Sequence, residues 1–150
     1  KAIVFIRKLA SMYNFTLNSY REKLIYLREE VDFLTSYHYL MKTRFGEKYQ
    51  YTIEIDKEIM ETKIPPLSLQ MLAENAIKHN TMHKQKPLVV DVFIEEDYII
   101  VRNNITNVPE GVQSFHIGLQ NIKERYYLIT GKKVIVVIEK DFLVKLPIIR

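Results

Sequence analysis

The sequence predicts a two-layer α/β sandwich: a mixed β-sheet covered by helices on one face, preceded by a two-helix element. Three observations carry that expectation. Up to Phe45 the apolar residues recur at steps of three and four, and from Lys48 they recur at steps of two. After that change, strand and helix patterns alternate in the order β-α-β-β-α-β-β. The 150 residues, 47% hydrophobic and 27% charged, suffice for one such core with a short appended element.

The first helix is expected over residues 2 to about 18, with Ala2, Ile6, Leu9 and Tyr13 at helical spacing, and Asn14–Ser19 closing it. A second helix, from about Leu27 to Arg44, carries the seam Leu24, Leu27, Val31, Leu34, His38, Met41 and Phe45. Glu29 and Glu30 suit its positive end, and Gly46 stops it. Tyr49, Tyr51, Ile53 and Ile55 alternate as a strand, and Pro65-Pro66 opens a helix that runs to about His79. Leu88–Glu95 and Tyr98–Asn103 form a hairpin, followed by an irregular stretch from Asn104 to Phe115. A helix from about Gly118 to Ile129 ends at Gly131, and Lys133–Glu139 and Phe142–Pro147 form a last hairpin. The period change divides the chain into a helical region, 1–46, and a sandwich domain, 47–150.

Composition excludes several classes. Without cysteine there is no disulfide framework and no Cys-based zinc site, in keeping with a reducing cytoplasm. The net charge of +4 comes from basic residues scattered among acidic ones, so nucleic acid is not the expected partner. No apolar run is long enough to span a bilayer, and no signal peptide opens the chain. The start, inside an amphipathic pattern and without Met, reads as a cut within a longer protein, which leaves room for a membrane segment outside these residues.

The most informative segment is Ile64-Pro65-Pro66-Leu67 through Glu74-Asn75-Ala76-Ile77-Lys78-His79-Asn80. Asn75, Lys78 and His79 fall at i, i+3 and i+4, on one face of an apolar helix near its C-terminal end. An amide oxygen suits a hard Mg²⁺ ion, and an ammonium and an imidazole suit phosphate oxygens. The plain alternative is a helix whose last turn carries Lys and His to complement its dipole.

This segment resembles the N-box of sensor histidine kinases of the LytS/YehU type. Leu27-Arg28-Glu29-Glu30-Val31-Asp32-Phe33-Leu34 and Arg44-Phe45-Gly46 look like that family's helical region. Ile117-Gly118-Leu119-Gln120-Asn121-Ile122-Lys123-Glu124-Arg125-Tyr126 looks like its G2 segment, and Val144-Lys145-Leu146-Pro147 like its closing strand. The resemblance implies a GHKL (Bergerat) ATP-binding sandwich, with ATP and Mg²⁺ as cofactors and phosphorylation of a histidine as the reaction. It implies a response-regulator receiver domain as partner, a homodimer through the N-terminal helices, and a cytoplasmic domain of a bacterial inner-membrane protein. By resemblance Asn75 coordinates Mg²⁺, Lys78 and His79 face the phosphates, and Glu74 supports the site. Asn103, Asn107, Gly118 and Leu119 contact the nucleotide, with Gly118 at a loop-to-helix junction whose N–H groups meet phosphate.

The pattern departs from the family at the adenine motif, where Asn103-Asn104-Ile105-Thr106-Asn107 stands for Asp-x-Gly-x-Gly. The Asn103 carbonyl oxygen is able to accept the adenine amino hydrogen without charge, whereas Ile105 replaces a glycine. Weakened or altered nucleotide binding is expected, and a module that only dimerises or docks partners is the alternative. A hydrolytic ATPase of this fold is disfavoured because Met71, no base, stands four residues before Asn75. His79 and His83 are four apart but lack a third ligand for a metal. The family's acceptor histidine lies in an Asn-Pro-His-Phe-type motif, expected upstream of these residues, and His38 is expected to be packed in the helical seam.

Overall fold

The computed structural model describes residues 1–19, 21–106 and 112–150, with the backbone alone for Ser19 and residues 112–117. Helix α1 (Ala2–Ser19) and helix α2 (Leu27–Phe45) come first. Between them lies the two-residue strand β1 (Ile25–Tyr26), which pairs with an equally short β3 (Lys63–Ile64). Strand β2 (Tyr49–Glu54), helix α3 (Ser68–Lys78), strands β4 (Leu88–Glu95) and β5 (Tyr98–Asn104), helix α4 (Val112–Thr130), and strands β6 (Ile135–Ile138) and β7 (Asp141–Pro147) complete the chain.

The main sheet has the order β2-β4-β5-β7-β6, with β2 parallel to β4 and every other pair antiparallel. Its register explains its two unlike faces, because successive side chains alternate across the sheet. Ile53, Val92, Val101, Val144 and Val136 form one row across all five strands, and Tyr51, Val90, Asn103, Phe142 and Ile138 the next. Apart from the exposed edge residue Ile138, that side joins the core with Leu69, Leu72, Ala73 and Ala76 of α3 and Leu119, Ile122 and Tyr126 of α4. The opposite side carries Thr52, Asp91 and Arg102 in register, with Thr52 Oγ1 donating to Asp91 Oδ1 at 2.7 Å and Arg102 pairing with Asp91 at 3.0 Å. One face is packed under helices, and the other mixes this polar network with apolar residues, among them Leu143 in the same row and the buried Ile100 in the next.

Helix α2 buries Leu27, Val31, Leu34 and Tyr37 in the same core as the sheet, so it is a packed part of the sandwich as well as the partner of α1. Gly46 ends it at φ 60°, a conformation that costs an L side chain energy but not glycine. Phe33 of α2 meets Phe15 of α1 with ring centroids 4.6 Å apart.

Several expectations are corrected. Helix α1 forms where its spacing predicts it; Ile6, Leu9 and Tyr13 of that spacing are exposed, while Met12 and Phe15 pack against the core. Helix α1 is apolar on more than one side, and period alone does not choose the side that meets a partner. Helix α4 begins at Val112, inside the stretch expected to be irregular, and β6 starts at Ile135 instead of Lys133. Strands β1 and β3 are too short to carry an alternation signal, and both were unforeseen.

Candidate functional site

The site begins with the C-terminal half of α3. Its apolar side is clamped in the core, which fixes where the polar residues between those positions emerge. Asn75 is half-buried, Lys78 is exposed, and His79 is half-buried just past the helix end. A Cβ placed on Gly118 would lie 3.3 Å from Asn75 Oδ1 and 3.5 Å from its Nδ2. The α4 backbone therefore runs directly against the Asn75 amide, at a distance only glycine allows without displacing it.

Two polar residues join this corner to the sheet. Asn80 Nδ2 donates to the Ala76 carbonyl at 2.8 Å, and Asn80 Oδ1 accepts from the Thr106 amide at 2.9 Å. Thr106 Oγ1 donates to the Thr81 carbonyl at 2.6 Å. The segment leaving β5 is thus tied to the end of α3. Asn103 stands on the helix-covered side of the sheet, nine-tenths buried, with Nδ2 donating to the Asn104 carbonyl at 2.8 Å. That bond fixes the amide orientation and leaves Oδ1 as the acceptor side. Asn104 is structural: its Oδ1 accepts from the Val89 amide and its Nδ2 donates to the Pro87 carbonyl, closing the hairpin end. Ile105 packs against the core.

The electrostatics of the corner follow from partial burial. Desolvation lowers the His79 pKa, and Lys78 lowers it further, which favours the neutral imidazole. Desolvation raises Glu74, opposed by a hydrogen bond from Gln70 and by Lys78. Glu74 is exposed on the far side of α3 from the buried Ala73 and Ala76.

Gly118 is the seventh residue of α4, inside the helix instead of at its junction with a loop. Its part is therefore to let the backbone approach Asn75, and its N–H lies beyond the unpaired donors of a first turn. The Leu119 side chain is in the core, which leaves only its backbone for any other contact. Asn107 lies outside the described residues.

At the other end of α3 the structure adds residues that spacing arguments overlooked. Glu30, fully buried, accepts from the Leu67 amide at 3.0 Å and the Leu69 amide at 2.9 Å. Arg125 of α4 donates to the Pro66 carbonyl and lies 3.3 Å from Ser68 Oγ. Burial pushes the Glu30 carboxyl up to about 7, against the opposing pull of those amides and Arg125. Glu30 does not serve its own helix; Glu29 does, accepting from the Tyr26 amide at 3.1 Å. A readable signal existed: Leu27, Glu30 and Leu34 stand at steps of three and four, which places Glu30 on the apolar side of α2.

His38 is fully buried, its Nδ1 2.6 Å from the Tyr49 hydroxyl and its ring stacked on Tyr51 with centroids 4.2 Å apart. Burial pushes its pKa down to about 3.

A donor set of one amide oxygen, an ammonium and a neutral imidazole fits a metal ion that arrives already bound to phosphate. Among the described residues no cluster of His, Cys, Asp or Glu could hold a metal ion by itself. A sandwich of this topology, with the polar end of its first sheet-covering helix meeting the end of the hairpin, is the fold of the GHKL catalytic domains of histidine kinases. The cytoplasmic segment of the histidine kinase QseC superposes with a TM-score of 0.59 at 19% identity, over 83% of this chain and 75% of that one. The family model described as histidine kinase matches residues 1–49. The sensor protein LytS of Bacillus cereus is 27% identical over 94% of this chain and 27% of its own length. LytS of Bacillus subtilis is 33% identical over 70% of this chain and 18% of its own. The chain belongs to the sensor histidine kinases of the LytS type. It spans roughly a quarter or less of the length of these relatives. Among the described residues no helix is long and apolar enough to cross a membrane.

Proposed function

We propose that residues 47–150 form the ATP-binding catalytic domain of a two-component sensor histidine kinase, and that residues 1–46 belong to its dimerising helical region. In this reading the γ-phosphate of ATP passes to a histidine outside this chain and then to the receiver domain of a response regulator. The protein acts on the cytoplasmic side of a membrane to which its other segments anchor it. The observation that carries the reading is the contact between Gly118 and the Asn75 amide, a glycine-dependent approach beside the Lys78–His79 pair.

Asn75 Oδ1 is the side-chain oxygen suited to Mg²⁺, which supplies charge neutralisation across the phosphates when bound. Lys78 adds positive charge, and neutral His79 adds a hydrogen bond. Asn103 Oδ1 offers an acceptor to the adenine amino group, and Asn107, Gly118 and Leu119 would line the rest of the nucleotide path. Glu74, exposed beside Asn75, has a supporting part. Phosphoryl transfer asks for positioning and charge more than for covalent help, and this set supplies both. His38 is no acceptor, because a fully buried imidazole bonded to Tyr49 has no route to a γ-phosphate.

A thermal-shift titration with Mg-ATP tests the proposal. A ligand bound only by the folded state raises the melting temperature with each increase in concentration. Mg²⁺ alone is expected to have no such effect. No shift at millimolar Mg-ATP would overturn the reading and leave a docking module, and labelled phosphate on His38 would overturn the assignment of the acceptor.

A further inference from the structure

We propose that Glu30 and Arg125 are positioning residues: they seat the first turn of α3 against α2 and α4, so that the placement of α2 governs how well Asn75 is presented to a metal–nucleotide. The inference rests on the nucleotide reading above.

The start of α3 lacks a cap of its own. Leu67, in the N-cap position, has φ 67° and makes no side-chain cap bond. A left-handed backbone costs a branched side chain roughly 1–2 kcal/mol, so the surroundings must hold it there. Three elements do so. Glu30 of α2 takes the Leu67 and Leu69 amides, one on each carboxylate oxygen. Arg125 of α4 takes the Pro66 carbonyl. Ser68 Oγ donates to the Pro65 carbonyl at 2.7 Å. A carboxylate at a helix N-terminus also meets the positive end of the helix dipole.

The consequence reaches the other end of α3. The helix is 11 residues long, its N-cap amide and one amide of its first turn are held by another helix, and its Asn75 side-chain amide abuts Gly118 of the same α4 that carries Arg125. Hydrogen bonds of 2.9–3.0 Å fail once donor and acceptor separate by more than about half an ångström. A slide or rotation of α2 on that scale withdraws the carboxylate, frees the strained turn and shifts the axis that carries Asn75. Helix α2 is packed against α1 as well as the sandwich, so motion in the helical region reaches α3 by this contact.

The test compares Glu30→Gln with Val31→Ala, one residue along α2, a substitution that removes core volume without touching the carboxylate. Affinity for a fluorescent Mg-ATP analogue is measured at a temperature where both variants are folded. Amide hydrogen exchange along α3 is followed without nucleotide. Glu30→Gln is expected to weaken binding about tenfold, within the range by which a packed hydrogen-bonded network couples two separate places. Val31→Ala, at equal or greater loss of melting temperature, is expected to change it less than twofold. Exchange in Glu30→Gln is expected to quicken from Leu69 through Asn75, and in Val31→Ala to leave that gradient unaltered. Equal affinities at matched stability, or faster exchange confined to the first turn, would overturn the proposal. If the unaltered protein binds no Mg-ATP, the catalytic reading fails alone, and the exchange gradient still decides whether Glu30 positions α3. Should Glu30→Gln not fold, Arg125→Met carries the same comparison from the α4 side.

Discussion

Helix α3 has two unlike ends. Its N-terminus is dry: Glu30, Arg125 and Ser68 engage the polar groups of a strained Pro-Pro-Leu turn, with Glu30 and Ser68 almost wholly buried. Its C-terminus is polar and reachable: Lys78 is exposed, Asn75 and His79 are half-buried, and Asn80 ties the exit to the sheet. The middle, Leu69, Leu72, Ala73 and Ala76, is core. The difference shows how a short helix serves as a lever. Rigid packing and buried hydrogen bonds fix one end, and the other end keeps polar side chains within reach of solution.

The comparison breaks most sharply at the polar end. Asn75→Ala is expected to reduce Mg-nucleotide affinity by roughly a hundredfold or more, since it removes the one hard oxygen ligand of the cluster. Its unfolding free energy is expected to stay within about 0.5 kcal/mol of the parent, as for other half-exposed positions, since among the described residues no side-chain hydrogen bond is lost. A calorimetric isotherm with Mg-ATP and a urea melt measure the two separately. Retained affinity would show that Asn75 is only a surface residue of an amphipathic helix.

The dry side of α2 gives the next largest effect, through two buried groups with opposite protonation preferences. His38 is held near 3, below its ordinary 6.5, so its contribution to stability is present above pH 6.5 and is lost as pH falls toward 3. Glu30 is raised from 4.5 to about 7, so its contribution is full below pH 4.5 and is lost as pH rises through 7. Between 4.5 and 6.5 the two trends oppose, each at most about 1.4 kcal/mol per pH unit. Stability is therefore expected to be nearly level across that window. Glu30→Gln removes one trend, and its stability should rise with pH at close to the single-site slope. Urea unfolding at several pH values tests this, and an equal slope in both proteins would disprove the balance.

The architecture was largely legible in the sequence because long periodic segments speak for themselves. Helices α2 and α3, the β4–β5 hairpin and the sheet that follows from them all came from spacing. The spacing of Ile6, Leu9 and Tyr13 announced α1 but not its packed side, because those exposed residues form as good a stripe as Met12 and Phe15, which pack. At the candidate site, Asn75 and Lys78 stand one turn apart on α3 as their spacing dictates, and His79 lies just past its end. Neither Gly118's place inside α4 nor the pairing of Asn80 with Thr106 follows from local sequence, because both depend on how two elements meet. Glu30 was visible as an acidic residue in a first turn, but its bonds go to a helix 37 and 39 residues away.

The smallest effect is also the one that separates folding from function most cleanly. Gly118 lies within α4, where glycine costs a helix about 0.5–1 kcal/mol relative to alanine. Gly118→Ala should therefore leave the protein as stable as before, or more stable by up to about that amount. The new methyl group would stand 3.3 Å from Asn75 Oδ1, closer than a comfortable contact, and the amide must yield by a few tenths of an ångström. Mg-nucleotide affinity is then expected to fall by several-fold, corresponding to about 1 kcal/mol. Stability and binding would move in opposite directions in one variant, which packing alone does not produce. If Gly118→Ala stabilises the protein and binds Mg-ATP as tightly as the parent, the close approach of α4 to α3 is only a packing detail, and the polar end of the lever lies elsewhere.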